Sequence, residues 1–208
     1  MTTLVCLETV SRRSFASALE WPGWCRSGRS EEDAVTTLAA YCGRYELVSK
    51  KAGIRFPIEP AEQFEVVERL SGNATTQFGA PAIAADYERR AVDRAEAKRL
   101  AALVNASWQV FAAVLAGAPV ELRKGPRGGG RDRDQIAAHV VEAEITYARK
   151  LGIRLGHDID EVRSAILERL GTPSGGGTHD EKEWLPRYAA RRIAWHVLDH
   201  AWEIEDKS

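Results

Sequence analysis

Proline and glycine are absent from residue 86 to residue 116, and sulfur is scarce, with three cysteines and one methionine in 208 residues. Cys6, Cys25 and Cys42 are odd in number and show no CxxC spacing, which excludes a full disulfide framework and a cysteine-based zinc site. An excess of one charge sign is also lacking. The formal net charge is −1, so the chain is no strongly basic nucleic-acid binder. No apolar run reads as long enough to cross a bilayer, and the N-terminus lacks a signal peptide's basic start and apolar core. A cytoplasmic protein with no membrane partner is expected. What remains is ordinary globular composition, 44% hydrophobic and 28% charged, enough for one large domain or two small ones.

Two halves with different patterning follow, 1–80 and 81–208. In the first, Leu4–Glu8 and Ser14–Leu19 are short apolar-rich stretches around the turn-like Ser11-Arg12-Arg13, which suits a hairpin. Trp21-Pro22-Gly23-Trp24 then punctuates the chain. Ser30-Glu31-Glu32-Asp33 opens a helix, with Ala34, Leu38, Tyr41 and Tyr45 as its buried face. Gln63–Leu70 reads as a third strand, giving β-β-α-β with a helix on one side of an open sheet. Gly72 to Pro81 reads as a loop.

The second half reads as four helices. Asp86–Ala116 has no breaker and would be on the order of 45 Å long. A second helix starts at Asp132 or Asp134 and ends at Leu151-Gly152, with glycine as a left-handed cap. A third spans Asp158–Leu170. The fourth opens at Thr178-His-Asp-Glu181 and reaches Asp206, with Pro186 either kinking it or following a short first turn. Four amphipathic helices make a bundle.

His196 and His200 are four residues apart, which stacks both imidazoles on one helix face, and His139 lies on a stripe with Ile136 and Ala143. Three neutral imidazoles with an open position suit zinc or nickel. Asp199 and Glu203 lie a helical step away, placed to orient the second ring nitrogens. The spacing also arises by chance, and a single histidine on an apolar face is usually a hydrogen-bonded core residue. His157 and His179 read as exposed loop residues.

Gln135-Ile-Ala-Ala-His-Val-Val-Glu-Ala-Glu144-Ile-Thr-Tyr147 and Arg192-Ile-Ala-Trp-His-Val-Leu-Asp-His200-Ala-Trp-Glu-Ile204 resemble the second and last helices of the DinB superfamily. That resemblance implies a four-helix bundle over about Ala84–Asp206, with His139, His196 and His200 as ligands of a divalent metal ion. It also implies a homodimer and a transferase in which the ion holds a low-molecular-weight thiol for attack on a small-molecule substrate. The added N-terminal part and a Gly/Arg-rich loop depart from the family's compact form. Trp21-Pro-Gly-Trp-Cys-Arg-Ser-Gly28-Arg-Ser-Glu-Glu-Asp-Ala34 is similar to the HicB-like fold, whose members are antitoxins that bind a partner protein. Together these make an α+β chain: a HicB-like module, then a DinB-like bundle.

Other features bear on chemistry. Arg127 and Arg131 of Glu121–Arg133 are placed to bind a substrate carboxylate beside the start of the His139 helix. No aromatic residues interleave the basic ones, so nucleic acid is not expected there. Cys25 lies near Arg26 and Arg29, but a buried inert thiol is the commoner outcome. Trp108, Trp184, Trp195 and Trp202 read as core or interface, one of them walling a pocket. Two rivals stand beside the transferase: hydrolysis by the same metal, and a non-catalytic regulatory module whose sheet edge docks a partner while the histidines are structural.

Overall fold

The computed structural model describes residues 2–56, 64–125, 129–177 and 182–208. Its fold is mixed α+β. The N-terminal strands are β1 (Thr3–Val10), β2 (Arg13–Ala18) and β3 (Cys25–Gly28), followed by helices α1 (Glu31–Ala40) and α2 (Cys42–Lys51) and strand β4 (Phe64–Ser71). The sheet order is β3-β2-β1-β4, antiparallel except for the β1–β4 pair. β3 was not expected. Cys-Arg-Ser-Gly is short and lacks alternating apolar residues, so only its pairing with β2 makes it a strand. The single expected helix is broken at Tyr41 into two. Ala34, Leu38 and Tyr45 are buried, and Ser30 caps α1 by accepting from the Asp33 amide at 3.1 Å. Gln63, the expected start of the last strand, lies outside the described residues.

Beyond the sheet come α3 (Ala74–Phe78), a 3₁₀ turn at Asp86–Arg89, α4 (Arg94–Gly117), α5 (Arg133–Lys150), α6 (Ile159–Leu170) and α7 (Pro186–Lys207). α3 occupies the expected loop, started by a reciprocal Asn73–Thr76 cap. α4 is shorter than expected because Asp93 accepts from the Glu96 amide and sets the N-terminus there. Pro186 neither kinks nor interrupts a helix: it is the first residue of α7, where its missing N–H costs nothing. Gly152 takes the expected positive φ of 78°. The proposed cap at Thr178–Glu181 lies outside the described residues.

α4 to α7 pack on one another around a shared apolar core that includes Val104, Ile136, Val140, Ile166, Ile193 and Val197. A second core unites both halves. Val5, Leu7, Trp24, Leu38 and Tyr45 of the N-terminal half pack with Leu103 and Val110 of α4 and Leu198 and Trp202 of α7. α4 is therefore two-sided. By length and composition it could cross a membrane, contrary to the reading that no stretch could, because its last eighteen residues carry no charge. Leu103, Val104, Val110 and Phe111 of this stretch pack into the two cores.

Trp21-Pro-Gly-Trp24 seats the sheet on α7. Trp24 stacks on Tyr45 with centroids 5.7 Å apart, its indole N–H donates to the Leu38 carbonyl at 2.9 Å, and the Tyr45 hydroxyl donates to the Pro22 carbonyl at 2.8 Å. Gly23 has φ +93°, and a Cβ there would lie 2.7 Å from Leu198 Cδ1 and 2.9 Å from Ala194 Cβ. Gly23→Ala therefore combines a disfavoured backbone conformation with overpacking against α7. It should lower unfolding free energy by about 1–3 kcal/mol in a denaturant titration.

Candidate metal centre

Helical spacing builds this site from two columns. α7 presents Arg192, His196 and His200 at successive turns, and α5 presents His139, Ala143 and Tyr147. The helices run antiparallel, so His139 meets His196 and His200 while Tyr147 meets His196 and Arg192. His139 is half-buried beside, not within, the core stripe of Ile136, Val140 and Ala148.

The ligand atoms of His139, His196 and His200 all lie within 4.8 Å of one another. The Nε2 atoms of His139 and His196 are 3.3 Å apart. Tetrahedral zinc with Zn–N near 2.05 Å spaces its ligands about 3.3 Å apart, so this pair already stands at ligand spacing. The His200 ring is perpendicular to both others, at centroid distances of 5.1 and 4.7 Å. Its Nδ1 pairs with Glu203 Oε2 at 2.8 Å, leaving Nε2 as the free nitrogen, and Lys207 Nζ holds the other Glu203 oxygen at 2.5 Å. The donor set therefore fits a divalent cation: three imidazoles, one of them oriented by a carboxylate.

No family model, curated protein or solved structure matches this chain.

Burial, followed by the neighbouring His200 and His139, pushes the His196 imidazole down to about 2. His139 is lowered in the same direction, first by burial and then by Arg131. Both rings are thus neutral near pH 7, with no proton to displace before a lone pair can be donated. The hydrogen bond from His200, aided by Lys207, holds the Glu203 carboxyl down to about 2 against its partial burial.

The other expected residues divide. Glu203 Oε2 lies 2.8 Å from His200 Nδ1. Asp199 does not orient a histidine: Arg26 of β3 takes its carboxylate at 2.7 Å and draws it toward the sheet. Arg131 is exposed and acts on His139 and His196 through its charge, with no hydrogen bond to them among the described residues. Arg127 and His179 lie outside the described residues. Arg192 and Tyr147 were missed. Extending the i, i+4 pattern one turn back from His196, and two turns on from His139, would have found them.

Cys25 is fully buried, takes a hydrogen bond from Ser17 at 3.0 Å, and has its thiol pushed up to about 11 by burial. Cys6 is pushed up to about 12 for the same reason. Neither serves as a nucleophile. In native protein at pH 8 a thiol reagent should modify Cys42 alone, with the other two reacting only after denaturation.

The histidines also set a pH dependence for the metal-free protein. His196 and His139 have folded-state pKa values below the ordinary value of about 6.5. The unfolded chain binds those protons first, so their contribution is present above that pH and is lost as pH falls below it. Denaturant midpoints measured in chelator should drop between about pH 6.5 and pH 5, and His196→Asn should flatten that drop.

Proposed function

We propose that this chain binds one zinc or nickel ion through His139, His196 and His200 and acts as a metal-dependent transferase, joining a low-molecular-weight thiol to a small electrophilic substrate. The observation that carries the reading is the convergence of three imidazoles from two helices, with one Nε2 pair at ligand spacing. The likeness of the Gln135–Tyr147 and Arg192–Ile204 strings to DinB helices supports it. In this reading residues 81–208 form a DinB-like bundle that pairs as a homodimer, and residues 1–80 a HicB-like module.

A bound divalent cation of this kind favours the anionic form of a coordinated thiol or water at neutral pH. The chain's own residues prepare the site. Burial keeps His196 neutral, and Glu203 accepts the His200 Nδ1–H, fixing its tautomer. Lys207 holds Glu203 in turn. Water in place of the thiol would make the same site hydrolytic.

One observation favours a second reading. The His139–His196 contact can be a plain N–H···N hydrogen bond, and with Glu203 on His200 the rings would be structural. The protein would then be a non-catalytic module that docks a partner on its sheet edge.

Elemental analysis of untagged protein purified without chelator separates the two. The metal reading expects about one zinc or nickel per chain, lost in His196→Ala and His139→Ala. Glu203→Gln should weaken metal affinity by about 10–100-fold, whereas Asp199→Asn, which loosens only the half-exposed Arg26 ion pair and touches no ligand, should weaken it less than that. Wild-type protein that neither carries metal nor takes up added zinc would retire the proposal. If the metal is present, a thiol-transfer assay with a generic electrophile follows.

A further inference from the structure

Among the described residues, Arg192 is a buried cation with no acid paired to it. It is 5% exposed and lies within a cage of aromatic rings, its guanidinium carbon 4.9 Å from the Trp195 centroid, 5.5 Å from Tyr147 and 5.9 Å from Trp184. Its only hydrogen bond among the described residues runs from Nη2 to the Tyr147 hydroxyl at 3.3 Å, while buried Nε and Nη1 have no partner. Other arginines with an unpartnered nitrogen differ in kind. Arg26 is paired with Asp199, Arg44 with Asp206 and Arg187 with Glu96. Even Arg191, the next residue, is gripped by the Glu88 carboxylate at 2.7 and 2.9 Å.

Burying a guanidinium without a counter-charge is costly, because the three N–H groups on Nε and Nη1, of its five donors, lose water and gain nothing. Cation–π contacts recover part of that cost but leave the in-plane N–H groups unused. This group also stands one helical turn from His196, on the same face, and shares the Tyr147 ring with it. His196 contributes a further buried, unpartnered nitrogen, Nδ1.

We propose that Arg192, with the Tyr147 hydroxyl, is the anchor for the carboxylate of a small monoanionic substrate whose remaining atoms lie beside His196. The site takes a carboxylate in preference to a phosphate for two reasons. One guanidinium balances one negative charge, and the rings of Tyr147, Trp184 and Trp195 leave in-plane donors for a flat, bidentate oxyanion. Trp184, only half-buried, is the least enclosed of the tryptophans in the cage and forms its outer wall. The anchoring role deepens the metal reading and rests on it for the chemistry at the substrate's other end. The anion site itself does not need the ion. The proposal moves substrate binding from the exposed Arg131 to a residue inside the α5–α7 seam.

The test uses full-length, chelator-treated protein and propionate, titrated at constant ionic strength against chloride. The Arg192 Nε–H resonance and calorimetry report binding. Wild-type protein should bind saturably and shift that resonance. Arg192→Met should weaken binding by at least about tenfold, and Tyr147→Phe by several-fold, as loss of charged and neutral hydrogen bonds requires. Arg131→Ala should stay within about twofold, as expected of a screened exposed charge. The inference is overturned by wild-type protein that does not saturate, by Arg192→Met retaining wild-type affinity, by Arg131→Ala losing it, or by inorganic phosphate binding more tightly than propionate. If circular dichroism shows Arg192→Met unfolded, Tyr147→Phe and the wild-type resonance decide. His200→Ala keeps the two ideas apart. Metal lost with propionate binding intact supports the anion site whatever becomes of the ion; propionate binding lost in that variant as well overturns the independent anchor.

Discussion

One helix must satisfy two hydrophobic cores at once. Fifteen of the twenty-two residues of α7 are buried. Ile193 and Val197 fill the core between the helices, while Leu198 and Trp202 complete the core beneath the sheet. A helix with apolar contacts around most of its girth has little freedom to rotate or slide, because any rotation exposes one core while burying polar groups in the other. The adjoining α4 repeats the arrangement, giving Val104 and Phe111 to one core and Leu103 and Val110 to the other.

That fixity is what a ligand set on helices needs. His196 and His200 inherit their positions from the packing of α7, and α5 is held opposite by Ile136 and Val140. Polar contacts then pin α7 lengthwise. The Arg191–Glu88 pair ties it to the 3₁₀ turn, and Arg26 of β3 holds Asp199 directly between the two ligand turns. That carboxylate adds a polar tie between the sheet and the helix segment that carries the imidazoles, beside the apolar contacts of Leu198 and Trp202. A site built from rigid elements and steadied by outer hydrogen bonds is preorganised, and that is where metal sites draw much of their affinity.

Local signals carried most of what was legible in the sequence. Helical spacing put His196 and His200 on one face, and it was the resemblance of the 135–147 and 192–204 strings to DinB helices that implied His139 as their companion. Ser30 and Gly152 marked boundaries where the backbone obeys local rules. The misreadings arose where a distant partner decided the outcome. Asp199 looked like a histidine orienter until Arg26, 173 residues away, proved to hold it. β3 has no strand pattern of its own and exists because β2 offers it a ladder. Asp93 and Pro186 were visible but misweighed. An aspartate that caps and a proline that starts a helix are local signals, but a breaker-free stretch before Asp93 and a cap-like Thr178–Glu181 before Pro186 offered competing starts.

The double duty of α7 also bears on how the chain folds as it is made. Strands and helices near the N-terminus leave the ribosome first, but the apolar floor of their sheet is supplied by Leu198 and Trp202, which are translated much later. The early segments can pack on one another, but their core is completed only when α7 emerges. Until that helix arrives, the nascent N-terminal half lacks the Leu198 and Trp202 side chains that close its core, and the apolar surface they would cover stays in water.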